Sequence, residues 1–482
     1  MRPDTRSKFT PSTRFVRSPS LLPAVVTMAL NAVVCLYAAN HPSTATVGVL
    51  NIVAPIVLVV VCGVQSLQIV FRDSLLIWAP VTWFLAASAV YFGLGPLAYI
   101  VGGPETLAYL DSFYPVDPIA LIKTNALNCI GIGLILTAIE VYNRLRPLRI
   151  QNTDDSMQGR YLKRAAIFFV GVGVALKYLI ILPYSFGVVS FVLPGFIVVT
   201  GNFTTVGIIL IWFVALRFDR RWLPGACVFS AVEAAVALIT FSKLSCITVI
   251  FGMTIGAFMA VRRVSILVAG AALSLTLYGV LLEPIAGARL FATDRGAAVA
   301  GRYDSLREGY VSAKAPTSVQ SFWTRICFSN AQAFAMAEYE KGRPGATLAY
   351  LPYIFVPRFI MPNKPIMNFG PTFNEAVTGH SGASTPGIFG EAYWNHGWLG
   401  VIAWCIYIGV LFAAFSEISV KKIGAHDVRW LPCAFAAIFM GCTPADCWLL
   451  SSYMGSVAIT AGLWVCITAC LKPPRGGVLK TN

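Results

Sequence analysis

Twelve stretches of roughly 20 apolar residues recur along the chain, and no other feature limits its fold as tightly. They lie at about 21–39, 47–71, 75–101, 118–142, 165–183, 194–216, 224–241, 244–261, 264–284, 396–416, 430–449 and 452–471. A helix of about 20 apolar residues crosses the hydrocarbon core of a bilayer. In that core only helices and closed barrels satisfy every backbone polar group. Spanning strands would alternate apolar and polar residues, and no such alternation is present. The composition agrees: the 482 residues are 57% hydrophobic and only 12% charged, which excludes an ordinary soluble domain. The expected fold is an all-α polytopic integral membrane protein with about twelve transmembrane helices. Pro194, Gly195 and Gly201 interrupt the sixth stretch, which is expected to be broken or partly re-entrant. The basic leader before residue 21 mimics a signal peptide. The end of the first run, "CLYAAN", lacks a small-x-small cleavage pattern, so a retained anchoring helix is expected.

Charge orients this array. With residues 1–20 inside, the short inner segments hold 23 lysines and arginines, whereas the short outer segments hold one, Lys243. The positive-inside bias then places both termini in the cytoplasm. The stretch 285–395 falls outside and is 111 residues long, with ten Lys/Arg and seven Asp/Glu. A loop of this length escapes that bias, and a loop so long is usually functional. The organisation expected is a basic tail (1–20), nine spans (21–284), a large outer loop (285–395), three spans (396–471) and a short tail (472–482). Within the loop, 318–341 has helical composition, and the aromatic, proline-punctuated 347–365 suits the headgroup zone.

Six ionisable residues fall inside spans: Lys123, Glu140, Lys177, Glu233, Glu283 and Asp446. Such groups are costly in lipid and face partners or cavities. Most lie toward the outer side, and Glu233 lies near the middle. Two readings remain open, a polar cavity open to the outer leaflet and scattered, individually satisfied charges. Eleven of the twelve cysteines sit in apolar runs and read as small packing residues, leaving Cys327 in the outer loop. No metal-ligand spacing occurs, and no cofactor or nucleic acid is implied.

A basic outer loop beside a membrane suits phosphate-bearing lipids, because guanidinium forks bind phosphate in bidentate fashion. The candidates are Arg289, Arg295, Arg302, Arg325, Arg358 and Lys364, with Lys243 outside span eight. The competing reading of any one arginine is a solvated surface charge. Candidates for proton transfer are Glu391, His396 and His380, together with Glu375. Tyr393, Trp394 and Trp398 could stack on sugar faces or serve as interface anchors.

These residues fall in "PRFIMPNKPIMNFGPTFNEAVTGHSGASTPGIFGEAYWNHGWLG", residues 357–400. The segment resembles the bacterial Wzy-type O-antigen and exopolysaccharide polymerases, in which a P-R…P-x-K-P element and a G-E-x-Y-x-N-x-G-x-x-G element occupy a large periplasmic loop. Here they are Pro357, Arg358, Pro362, Lys364 and Pro365, then Gly390, Glu391, Tyr393, Asn395, Gly397 and Gly400. "FSKLS" (241–245) is similar to the family's small-residue-plus-basic element. The local match covers about a tenth of the chain. The resemblance implies an architecture related to the GT-C membrane glycosyltransferases. It also implies metal-independent polymerisation of undecaprenyl-diphosphate-linked repeat units at the periplasmic face of the inner membrane, with a flippase and a chain-length regulator as partners. An acceptor hydroxyl would attack the donor's anomeric carbon, cations would hold the diphosphates, and Glu391 or a histidine would take the proton. Related O-antigen ligases share the architecture, and a flippase or exporter of lipid-linked glycans is the non-enzymatic alternative. The first outer loop, "NHPSTAT", lacks the aspartate that many GT-C enzymes acting on lipid-monophosphate sugars keep there.

Overall fold

Each of the twelve apolar stretches contains a helix. The structure is a computed structural model, and it describes residues 13–15, 19–151, 158–185, 200–239, 243–277, 280, 318–354, 356, 360–361, 363, 365, 369–378, 384–425, 427–445 and 455–471. We label the helices α1 (Leu22–Asn40), α2 (Thr44–Arg72), α3 (Pro80–Val101), α4 (Gly103–Phe113), α5 (Pro118–Leu145), α6 (Gly159–Tyr184), α7 (Asn202–Arg217), α8 (Leu223–Ile239), α9 (Lys243–Val261) and α10 (Val264–Leu277). These are followed by α11 (Ser318–Ile326), α12 (Ser329–Glu340), α13 (Phe369–Thr378), α14 (Gly387–Gly424), α15 (Leu431–Cys442) and α16 (Gly455–Cys470). Seven are long and apolar enough to cross a membrane: α1, α2, α3, α5, α6, α14, and α8 with the turn before it. The chain is therefore a helical membrane protein. Helices α7, α9, α10, α15 and α16 are equally apolar but shorter over the described residues. Among the described residues, one two-stranded antiparallel ribbon joins 13–15 to 149–151.

The element boundaries follow local chemistry. Ser43 accepts the Thr46 amide at 3.2 Å and caps α2. Asp117 accepts the Ile119 and Ala120 amides and caps α5, with Pro118 at its first position. The predicted 75–101 stretch is not one regular helix. A 3-10 turn (Ser74–Trp78) precedes Pro80, and α3 passes through a π-helical turn at Ala89–Leu94. Residues Pro194 and Gly195 lie outside the described residues; in the sixth stretch a turn at Gly201 separates the helical Thr200 from α7, which starts at Asn202. The segment 318–341, expected to be helical from its composition, folds as two helices, α11 and α12. Asp446 and Glu283 lie outside the described residues.

Helix α5 is the axis of the bundle. It packs against α1, α2, α12 and α14, and Cys129, Ile132, Ile135 and Leu136 are wholly enclosed. Helix α14 comes so close that a Cβ on Gly409 would lie 2.6 Å from the Ile135 carbonyl oxygen and from the Ala138 methyl. By contrast, α1 leaves Leu30, Val33 and Tyr37 on the surface, as a lipid-facing helix must.

Hydrogen bonds sort the helix ends into two sets. At one end, Glu140 near the C-terminus of α5 accepts the Leu21 amide at the start of α1 (3.1 Å). At the same end Gln65 of α2 donates to the Ser20 carbonyl (3.5 Å) and Tyr142 of α5 donates to Glu417 of α14 (2.7 Å). At the other end, Asn51 of α2 donates to the Pro118 carbonyl at the start of α5 (2.9 Å), and Lys123 meets Glu340 of α12 (3.7 Å). Glu140 thus caps a neighbouring helix rather than only reaching toward headgroups. A second group of helices surrounds α7, which packs against α6, α8 and α9. There Lys177, at the start of a π-helical turn in α6, forms an ion pair with the buried Glu233 of α8, and Tyr178 donates to the same carboxylate at 2.9 Å.

Candidate functional site

The segment 387–400 builds the candidate site, and its geometry explains its residue pattern. Helix α14 starts at Gly387, nine residues before the span expected at 396, so Glu391 and Tyr393 belong to a helix and not to a loop. This first stretch is interior: every residue from Gly387 to Tyr393 is buried. Its start is fastened to the end of α15, where the Ile388 amide donates to the Pro444 carbonyl at 3.0 Å. Phe389 lies over Gly131 of α5, and Gly390 lies against Gln332 of α12. Gln332 and Asn128 of α5 exchange two amide hydrogen bonds, at 2.8 and 3.2 Å, inside the protein. The pair satisfies two buried polar side chains at once and fixes α12 to the axis.

The helix then breaks. His396 (φ −144°, ψ 22°) and Gly397 (φ 58°, ψ −147°) leave helical geometry. The Gly397 conformation is one that residues with a Cβ avoid. A Cβ there would also lie 2.7 Å from the Tyr339 ring. Asn395 secures the break: its amide donates to the Glu391 carbonyl (2.8 Å) and the Thr347 hydroxyl (2.7 Å), and its oxygen accepts the Thr347 amide (3.1 Å). Beyond it the chain folds back so sharply that a Cβ on Gly400 would lie 2.3 Å from the Ala392 carbonyl oxygen. Gly390, Asn395, Gly397 and Gly400 are therefore the residues that a kinked, tightly packed helix needs. Gly397→Ala is expected to lower stability by about 1–3 kcal/mol, read as a fall in the unfolding midpoint of the purified protein. An unchanged midpoint would mean that the kink is not strained.

Two surfaces flank the kink. On one, a shallow cavity of about 370 Å³ is lined by Tyr339, His396, Leu399, Gly400, Ala403 and Trp404. The His396 imidazole is exposed at this cavity, with Leu399 78% exposed beside it. On the other, the Tyr393 hydroxyl donates to Glu340 at 3.4 Å, and Lys123 faces the second oxygen of that carboxylate at 3.7 Å. Glu340 and Lys123 remain 46% and 40% exposed, so a ligand can reach both. Tyr339 joins the surfaces, since it walls the cavity and precedes Glu340. Nearby, Glu338 is occupied by Arg343 and Lys341.

The predicted site residues separate on this frame. Glu391 is fully enclosed and does not share a surface with the exposed His396. Tyr393 is buried, edge-to-face with both Tyr339 and Trp398, so its ring offers no face to a sugar. Trp394 packs on Gly345 and Phe373 and donates to the Arg343 carbonyl at 3.2 Å, which makes it a clamp on the 343–347 turn. Trp398 is half-buried. Arg325 is exposed at the end of α11. Arg289, Arg295, Arg302, Arg358, Lys364 and His380 lie outside the described residues, as does the side chain of Lys243. Glu340 and Lys123 were not legible as a pair in the sequence, because 216 positions separate them. The one available signal was Lys123 itself, a cation in an apolar helix that requires an acidic neighbour.

Cys327, between α11 and α12, is buried, and burial pushes its thiol up to about 11. A thiol so far above neutrality carries almost no thiolate. Cys327 is expected to resist a water-soluble maleimide at pH 7.5 until the protein is unfolded; rapid labelling of the native protein would show that α11 detaches.

No family model, curated protein or solved structure matches the chain.

Proposed function

We propose that the chain is a membrane glycosyltransferase that polymerises undecaprenyl-diphosphate-linked oligosaccharide repeat units into O-antigen or exopolysaccharide. The reading includes twelve crossings in a GT-C-like arrangement, both termini in the cytoplasm, and residues 285–395 at the periplasmic face of the bacterial inner membrane. The observation that carries it is the accessible Lys123–Glu340–Tyr393 chain beside the kink formed by the G-E-x-Y-x-N-x-G-x-x-G segment. It combines a carboxylate and a cation at the end of the bundle where the resemblance puts lipid-linked sugars.

In this reading the acceptor hydroxyl attacks the donor's anomeric carbon and lipid diphosphate departs. Glu340 takes the hydroxyl proton. Tyr393 and Lys123 hold that carboxylate in place. Arg325, and from the sequence Arg289, Arg295, Arg302, Arg358, Lys364 and Lys243, hold the diphosphates, since charge stabilisation and positioning supply most of the acceleration in such a displacement. Glu391 supports the site from the interior, and His396, at the mouth of the apolar cavity, lies where the carrier lipid meets its headgroup.

The test is reconstitution of the purified protein in vesicles with lipid-linked repeat units. Lengthening of the lipid-linked glycan supports polymerisation. Passage of single repeats across the bilayer without lengthening would replace it with a flippase, and transfer of finished polymer to a second lipid acceptor with a ligase. Reporter fusions that place 285–395 on the cytoplasmic side would overturn both enzymatic readings.

A further inference from the structure

A second cavity, this one polar and of about 360 Å³, lies at the end of the bundle opposite Glu340, and the proposed reaction makes no use of it. It forms where α2 turns toward α3 and α9 turns into α10, and its lining includes Phe71, Arg72, Asp73, Phe258, Arg262 and Val264. Arg262 is the feature that needs a cause. Its φ of 58° makes it the one non-glycine residue in the left-handed region among the described residues. It follows the last residue of α9, with its amide donating to the Phe258 carbonyl at 2.7 Å. Helices commonly end on a glycine at such a position, because glycine adopts it without strain. An arginine there costs backbone strain that a glycine would not.

The surroundings bear on its role. Arg72 lines the same cavity, and among the described residues neither guanidinium is in an ion pair. The one carboxylate, Asp73, is buried and accepts the Leu75 amide at 3.0 Å, capping the 3-10 turn. Val264 opens α10, so the amide end of a 14-residue helix adds partial positive charge. Phe71, beside Arg72, is exposed on a helix that crosses the membrane. Two unpaired guanidiniums next to an exposed aromatic ring at a membrane surface match a phosphate attached to hydrocarbon better than a free anion. Guanidinium forks engage phosphate oxygens in pairs. We propose that this cavity binds the phosphate of an anionic lipid headgroup, with Arg72 and Arg262 holding its oxygens and Phe71 alongside its acyl chains.

The test is native mass spectrometry of the full chain in detergent, titrated with phosphatidylglycerol, phosphatidylcholine or inorganic phosphate. One phosphatidylglycerol adduct should persist after weaker ones are stripped, and phosphatidylcholine should not replace it. Arg262→Gly and Arg72→Gln should each weaken that adduct about ten-fold or more, whereas Arg221→Ala, an exposed arginine away from the cavity, should not. Arg262→Gly should leave the unfolding midpoint unchanged or higher, since glycine relieves the strained backbone. That separates lost binding from lost fold, and Arg72→Gln provides the second, unstrained variant. Equal retention of both lipids, or full retention in both variants, would overturn the proposal. Displacement of the lipid by millimolar inorganic phosphate would replace it with a soluble-anion site.

Discussion

Glu233→Leu alone is expected to destabilise the chain by about 3–5 kcal/mol, and adding Lys177→Met to it should restore most of that loss. The pair is nearly sealed: the Glu233 side chain is 1% exposed and that of Lys177 18%. Ion pairing and the Tyr178 hydroxyl at 2.9 Å satisfy the carboxylate. Removing Glu233 alone strands an ammonium among apolar helices, whereas removing both charges leaves a packed apolar contact, which in buried sites is often neutral or stabilising. The pair also bridges α6 and α8, both of which pack on α7 rather than closely on each other. Unfolding of the purified single and double variants in micelles measures the difference. A single variant as stable as the wild type would mean that Lys177 reaches water or headgroups unaided, and that the pair is a surface contact.

Much of the helical fold was readable because bilayer physics leaves so few options. Apolar runs predict helices, and each of the twelve runs holds a described helix, from Leu22–Asn40 to Gly455–Cys470. What hydropathy cannot see is a short helix that is interior to protein but polar in part. The stretch 387–395 carries Glu391, Tyr393 and Asn395, so it reads as loop. It is helix because Asn395 finds Thr347, Tyr393 finds Glu340, and Gly390 admits Gln332. Each of those partners is at least 45 residues away. The π-helical turns in α3 and α6 were invisible for a related reason, since one extra residue in a turn leaves composition and period almost unchanged.

The same limitation hid Glu340, a second candidate proton acceptor beside the predicted Glu391. Glu391 drew attention because it stands among tryptophans and a histidine, yet that crowding records helix packing: Phe389 on Gly131, Trp394 on Gly345, Tyr393 between Tyr339 and Trp398. Glu340 ends a small-residue helix beside Lys341, where the sequence offers only a solvated charge pair. Folding turns it toward α5 and α14, where it meets Lys123 and Tyr393 while keeping an exposed face.

From that placement Glu340→Gln is expected to reduce chain elongation by about 10²–10⁴-fold, the range for loss of a general base, with normal insertion and abundance. Glutamine keeps the shape of the side chain and can still accept from the Tyr393 hydroxyl 3.4 Å away, so the α12–α14 contact survives while proton acceptance does not. Glu391→Gln, wholly enclosed, should instead leave turnover within about ten-fold of wild type, since an interior residue acts on the reaction only through packing. Lys123→Met should lower kcat more than it raises KM for the lipid-linked substrate, because Lys123 acts on the reaction by holding the Glu340 carboxylate in place. Glu340→Asp should recover part of the lost rate, which a purely structural role would not allow. The decisive comparison is between the two isosteric substitutions under identical reconstitution. Wild-type elongation in Glu340→Gln together with dead Glu391→Gln would return the proton to the interior glutamate. It would also require the kink at His396–Gly397 to open during turnover so that substrate could reach Glu391.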